Sequence, residues 1–158
     1  MVVDAHGRAF VGEFGVLGPT PAEDPLVTLK HVDPDGLVSA AAHGLAFPNG
    51  MVITPDGATL IVGESLARRY SAFDLAPDGT LSNRRYWAEL DEGPVPGQSR
   101  VVPDGCTLDA AGHLWVADTP SFRFVRVAAG GRIVDEIPLP TGFTRTPAGS
   151  AGTTAAPC

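Results

Sequence analysis

Residues Met51–Ser65 read MVITPDGATLIVGES: an apolar run, a Pro-Asp-Gly turn, and a second apolar run. An apolar strand, a turn closed by glycine and a returning apolar strand make a β-hairpin. The same plan stands at Met1 as MVVDAHGRAFVGEF and at Cys106 as CTLDAAGHLWVADT. The turns close on Gly7, Gly57 and Gly112, a period of roughly 50 to 55 residues that calls for a repeat architecture.

Each hairpin is followed by two further strand patterns. The third strand of each unit lies in LVTLKHVDPDG (Leu26–Gly36), RYSAFDLAPDG (Arg69–Gly79) and RFVRVAAGG (Arg123–Gly131), each ending on a hairpin-turn signal. The fourth follows as LVSAAA, TLSNRRYWAEL and RIVDEIPL. Four antiparallel strands per repeat make a β-propeller blade. The sequence predicts an all-β fold of three four-stranded blades, at about 1–45, 46–100 and 101–140, with almost no helix. Three blades leave the ring incomplete, so the open blade faces are expected to promote self-association. The segment 141–158, small and polar without alternation, is expected to be a disordered tail. The 19 Gly and 15 Pro among 158 residues fit short strands and tight turns better than long helices.

The net charge of -7 comes without a basic cluster, which argues against a nucleic-acid partner. No apolar run is long enough to span a bilayer and no signal-peptide pattern opens the chain, so a soluble, cytoplasmic protein is expected. Cys106 and Cys158 suggest neither a disulfide framework nor a zinc site; Cys106 reads as a small buried strand residue.

Two phrases stand at corresponding places in the repeat: FPNG around Asn49 and VPDG around Asp104, each just ahead of an inner strand. Strand order puts the start of every inner strand on one face of the disc, the top, near the axis. Two readings stay open. Asn and Asp are favoured turn residues, and Pro-Asp-Gly recurs at Pro34–Gly36, Pro55–Gly57 and Pro77–Gly79. An amide oxygen and a carboxylate converging on the axis would instead suit a hard divalent cation.

The segments FPNGMVITPDGATLIVGES, AFDLAPDGTLSNRRYWAEL, PDGCTLDAAGHLWVAD and GGRIVDEIPLP together resemble the SMP-30/gluconolactonase/LRE-like, or regucalcin-like, family of six-bladed propeller lactonases. The resemblance covers Met1 to about Pro140 and implies a partial chain of that family. It implies one divalent metal ion (Ca, Zn, Mg or Mn) held by a Glu, an Asn and an Asp, of which the last two match Asn49 and Asp104. The family's ligand Glu belongs to a blade that would precede Met1, and Glu13 does not match it.

The implied function is metal-dependent hydrolysis of a sugar lactone or similar small lactone to the hydroxy acid, with Asp104 as ligand and general base. A non-catalytic binding module, or an inactive truncated fragment, is the alternative. The loops at 13–25, 65–70, 91–100 and 119–123 would rim the site, with Glu13, Arg68 and Phe122 as substrate-rim candidates. His6, His31, His43 and His113 share no metal-ligand spacing and are expected at the surface, Trp87 and Trp115 pack between blades, and Arg84 and Arg85 lie on an outer strand.

Overall fold

The structure, a computed structural model, describes residues 1–14, 26–90 and 100–140. The expected tail at 141–158 and most of the loops at 13–25 and 91–100 lie outside the described residues. Three antiparallel sheets follow one another along the chain, each of four strands paired in sequence order. The first holds β1 (Val2–Val3), β2 (Ala9–Val11), β3 (Leu26–Val32) and β4 (Val38–Ala46). The second holds β5 (Pro48–Ile53), β6 (Thr59–Glu64), β7 (Arg69–Leu75) and β8 (Leu81–Glu89). The third holds β9 (Pro103–Leu108), β10 (Leu114–Asp118), β11 (Arg123–Val127) and β12 (Ile133–Pro138). The only helical element among the described residues is a 3-10 turn at Thr119–Ser121. These sheets are β-propeller blades, and the ring is not closed.

The strands form where the turns permit them. In the second blade Gly57 donates its N–H to Thr54 O (2.8 Å) and Gly79 donates to Ala76 O (2.9 Å), with φ of 72° and 90°. Those positive φ values are open to glycine at little cost, which is why each turn closes on one. Asp56 and Asp78 fix the same turns by accepting the N–H groups of Ala58 and Thr80.

Two cores lie between the blades. Phe10, Leu29 and Leu45 of the first blade meet Met51, Leu60, Val62 and Phe73 of the second. On the other side Ile61, Tyr70, Ala72 and Ala88 meet Leu114, Val116, Val125 and Val127 of the third. Strand β6 is therefore buried on both faces, and its sequence TLIVG shows no polar alternation because neither face meets water. The outer strand β8 is exposed over most of its length and carries Ser82, Asn83, Arg84 and Arg85.

The first and second blades are also joined by a buried ionic cluster. Glu64, at the end of β6, is fully buried. Its carboxylate accepts Arg69 Nε (3.0 Å) and Nη2 (2.9 Å), Ser71 Oγ (2.5 Å), Arg84 Nη2 (2.8 Å) and the backbone N–H of Ala46 (2.9 Å). Arg84 reaches on to the carbonyls of His43 (3.3 Å) and Gly44 (3.0 Å) in the first blade. Both outer-strand arginines are paired: Arg84 ties β8 to the neighbouring blade, while Arg85 makes the surface pair with Asp74 at 2.6 Å. His31 is also buried, not at the surface, because its ring packs on Phe10 with centroids 5.3 Å apart.

Burial alone would raise the Glu64 carboxyl, but the hydrogen bonds from Arg69, Ser71, Ala46 and Arg84 outweigh it and hold its pKa at about 2. A carboxyl depressed in the folded state stabilises the fold above its unfolded pKa, and this contribution disappears as pH falls through the folded value. Glu64→Ala removes the acceptor for two arginines and a buried N–H, at an expected cost of about 3 kcal/mol. In urea melts at neutral pH the wild type should exceed Glu64→Gln in stability, and the gap should shrink as pH is lowered from 5 towards about 2.

Candidate functional site

Asn49 and Asp104 occupy corresponding places in adjacent blades, but not in the turns ahead of the inner strands. Each is the second residue of its strand, β5 or β9. Pro48 pairs with Glu64 and Met51 with Val62, so Asn49 and Gly50 together face the single residue Gly63. Pro103 pairs with Asp118 and Cys106 with Val116, so Asp104 and Gly105 together face Ala117. Both sites are β-bulges, which bend a strand and re-aim its side chains. Proline opens each bulge with a residue that has no N–H to satisfy.

The two bulges are in contact. A β-carbon on Gly50 would overlap the Asp104 carbonyl oxygen, lie 2.8 Å from Cys106 N and 3.0 Å from the Gly105 carbonyl carbon. Only glycine lets the inner strands approach this closely. On the other side, a β-carbon on Gly12 would overlap the Pro48 carbonyl oxygen, which brings the end of β2 and the adjoining Glu13 to the same top edge.

Asn49 Nδ2 donates to Ser65 Oγ (3.3 Å), and Ser65 Oγ donates to Pro103 O (2.5 Å). Thr119 Oγ1 donates to Asp104 Oδ2 (2.8 Å). Among the described residues no donor reaches Asn49 Oδ1 or Asp104 Oδ1. The pair therefore offers a neutral amide oxygen and a carboxylate oxygen, the donor chemistry of a hard cation. Among the described residues there is no group of three His, Cys, Asp or Glu able to hold a metal ion.

Below Asp104, burial pushes the Cys106 thiol up to about 11, which makes it a poor nucleophile and fits its reading as a packing residue. Burial, with Cys106 and Asp104 adding to it, also raises the Tyr70 hydroxyl well above its ordinary value.

The rim candidates differ from one another. Arg68 and Phe122 are counterparts: each has a left-handed φ, 48° and 50°, and each follows the second strand of its blade. Arg68 O accepts Leu90 N–H at 2.9 Å and Phe122 O accepts Leu139 N–H at 2.8 Å. Non-glycine residues in this region carry a backbone cost of roughly 1–2 kcal/mol, and here the repeated turn holds it in place. Phe122 is 62% exposed, an aromatic face presented at the top edge. Glu13 is half exposed and lies 4.0 Å from Lys30 Nζ.

A family model described as "SMP-30/Gluconolactonase/LRE-like region" matches residues 1–153. The chain belongs to the SMP-30/gluconolactonase/LRE-like family. It is similar to pentonolactonase XacC of Haloferax volcanii, 33% identical over 144 residues that cover 89% of this chain and 45% of that protein. It is also similar to regucalcin of Danio rerio, 32% identical over 143 residues, covering 87% of this chain and 45% of that one. Among solved structures, a gluconolactonase from Xanthomonas campestris superposes with a TM-score of 0.65 at 27% identity, over 87% of this chain and 46% of the other. A luciferin-regenerating enzyme gives a TM-score of 0.69 at 26% identity, over 87% and 45%. This family member therefore spans 45% of the length of the two curated relatives.

The structure brings the residues of the Pro-Asn-Gly and Pro-Asp-Gly phrases onto contacting strands, whereas sequence reasoning did not single out the hydroxyls of Ser65 and Thr119 that touch them. The available signal was their repeat position: each directly follows a second strand, in VGES and VADT.

The glycine contact gives a direct test. Gly50→Ala should destabilise the chain by roughly 2 kcal/mol or more, because backbone must move to admit the methyl group. Gly105→Ala, where an added β-carbon meets nothing within 4 Å, should leave the thermal midpoint nearly unchanged. Equal losses in the two variants would contradict the close packing of β5 on β9.

Proposed function

We propose that Asn49 and Asp104 are two ligands of a divalent-cation site used for lactone hydrolysis. The observation that carries this reading is the matched pair of bulges, which places an amide oxygen and a carboxylate oxygen on contacting strands with neither engaged by the described residues. Family membership and relatives named as a pentonolactonase and a gluconolactonase support lactone as the substrate class. A bound cation of this kind, Ca, Zn, Mg or Mn, polarises a carbonyl as a Lewis acid.

The chain's own residues then have distinct roles. Asp104 and Asn49 hold the cation, and Asp104 also accepts a proton from the attacking water as general base. Water oxygen bonds to the carbonyl carbon, the ring C–O bond breaks, and the departing ring oxygen takes a proton to give the hydroxy acid. Arg68 and Glu13 offer polar groups for a sugar lactone's hydroxyls, and Phe122 offers an apolar wall.

One carboxylate and one amide leave most of a hard cation's coordination to water or to donors beyond the described residues. Affinity for Ca²⁺ or Mn²⁺ is therefore expected on the order of 0.1–1 mM. Calorimetric titration of the purified 158-residue chain should give this weak binding, and Asp104→Ala should abolish it. Gluconolactone hydrolysis by the same chain should stay close to background, and a chain extended upstream to add the remaining family ligand should turn over lactone in an EDTA-sensitive way. Binding that survives Asp104→Ala, or an extended chain indifferent to EDTA, would contradict the assignment.

A further inference from the structure

Ser65 and Thr119 stand at the same place in consecutive blades, immediately after the second strand, and each touches the bulge residue of its own inner strand. Ser65 Oγ lies 3.3 Å from Asn49 Nδ2, and Thr119 Oγ1 lies 2.8 Å from Asp104 Oδ2. The first blade supplies an internal contrast. Its residue at this position is Phe14, which has no hydroxyl and packs edge-on against Phe47 with centroids 5.9 Å apart.

The proton inventory at Ser65 decides how Asn49 is turned. A serine hydroxyl has a single hydrogen, and the 2.5 Å contact with Pro103 O commits it, because a carbonyl oxygen can only accept. Ser65 Oγ must then act as acceptor towards Asn49. Only the amide nitrogen can donate, so Nδ2 faces Ser65 and Oδ1 is left as the free acceptor. Reversing the amide would set two acceptors against each other at a buried serine. The same hydroxyl also grips the carbonyl of the residue preceding Asp104, so one buried group joins both ligand-bearing strands. Thr119 engages one oxygen of the Asp104 carboxylate and leaves the other, which fixes the carboxylate's rotation.

Resting on the cation reading above, we propose that Ser65 and Thr119 are positioning residues that orient Asn49 and Asp104 for cation binding, with Ser65 also setting the separation of the two ligand strands. Neither hydroxyl is a ligand in this scheme. Groups that orient metal ligands in this way typically change affinity when removed, with the ligands themselves intact.

The test uses the full 158-residue chain and Mn²⁺ alone, with free Mn²⁺ counted by electron paramagnetic resonance. Ser65→Ala and Thr119→Val should each weaken Mn²⁺ binding by about tenfold or more, whereas Ser65→Thr and Thr119→Ser should stay within about threefold of wild type. In the metal-free protein, Ser65→Ala should also shift the side-chain NH2 resonances of Asn49, which a merely structural serine elsewhere in the blade would not do. If the folded Ser65→Ala and Thr119→Val chains bind Mn²⁺ within about threefold of wild type, the positioning role is wrong and the cation site stands. If wild type binds Mn²⁺ no better than Asn49→Ala/Asp104→Ala, the cation reading fails and the positioning role fails with it. Should Ser65→Ala not fold, the exposed Thr119 pair decides the matter: affinity unchanged in Thr119→Val overturns the proposal, and a loss restored by Thr119→Ser supports it.

Discussion

The contact between Gly50 and the backbone of Asp104–Cys106 is the constraint on which the top of the blade arc depends. Two inner strands approach until no β-carbon fits between them, and both strands bulge at that level. The bulges turn Asn49 and Asp104 out of the regular pleat, and the contact fixes the distance between the strands that carry them. Next to β5, strand β6 serves both apolar cores, with Leu60 and Val62 facing one neighbouring blade and Ile61 the other. A site built on such strands inherits their rigidity, which a loop-borne site would lack.

The second strands of the second and third blades end on a carboxylate, and its environment decides its use. Glu64 accepts the Ala46 N–H and Arg69, and Asp118 accepts the Val102 N–H (3.2 Å) and Arg123 (2.8 Å). In both blades the acid secures the segment leading into the inner strand, directly beneath a bulge. Glu13 holds the same repeat position in VGEF, yet it is half exposed, with Lys30 at 4.0 Å. The repeat thus uses one position twice as a buried clamp and once as a group at the rim.

The three-blade plan was legible because its signals are local. Alternation, a turn glycine and a fixed period need only neighbouring residues, and Gly7, Gly36, Gly57, Gly79, Gly112 and Gly131 have positive φ where the turns were expected. The bulges were not legible, since Pro-Asp-Gly spells a turn at Pro55–Gly57 and a bulge at Pro103–Gly105. The difference lies in the backbone: Gly57 has φ of 72° and closes a hairpin, whereas Asp104 and Gly105 remain in a strand opposite Ala117. Nor did the sequence reveal that Arg84 on β8 would reach Glu64 on β6, because that pairing crosses an intervening strand. The hydroxyls of Ser65 and Thr119 matter only once the bulges bring Asn49 and Asp104 to them.

Paramagnetic broadening of the amide spectrum by substoichiometric Mn²⁺ tests the shared site most directly. If Asn49 and Asp104 hold one ion, resonances of Asn49, Gly50, Gly105 and Thr119 should broaden together, and Asp104→Ala should remove the effect from both strands at once. Broadening centred on the hairpin turns around Asp4 and Asp56 at the opposite end of the blades, or on one of the two strands alone, would contradict a cation shared between them.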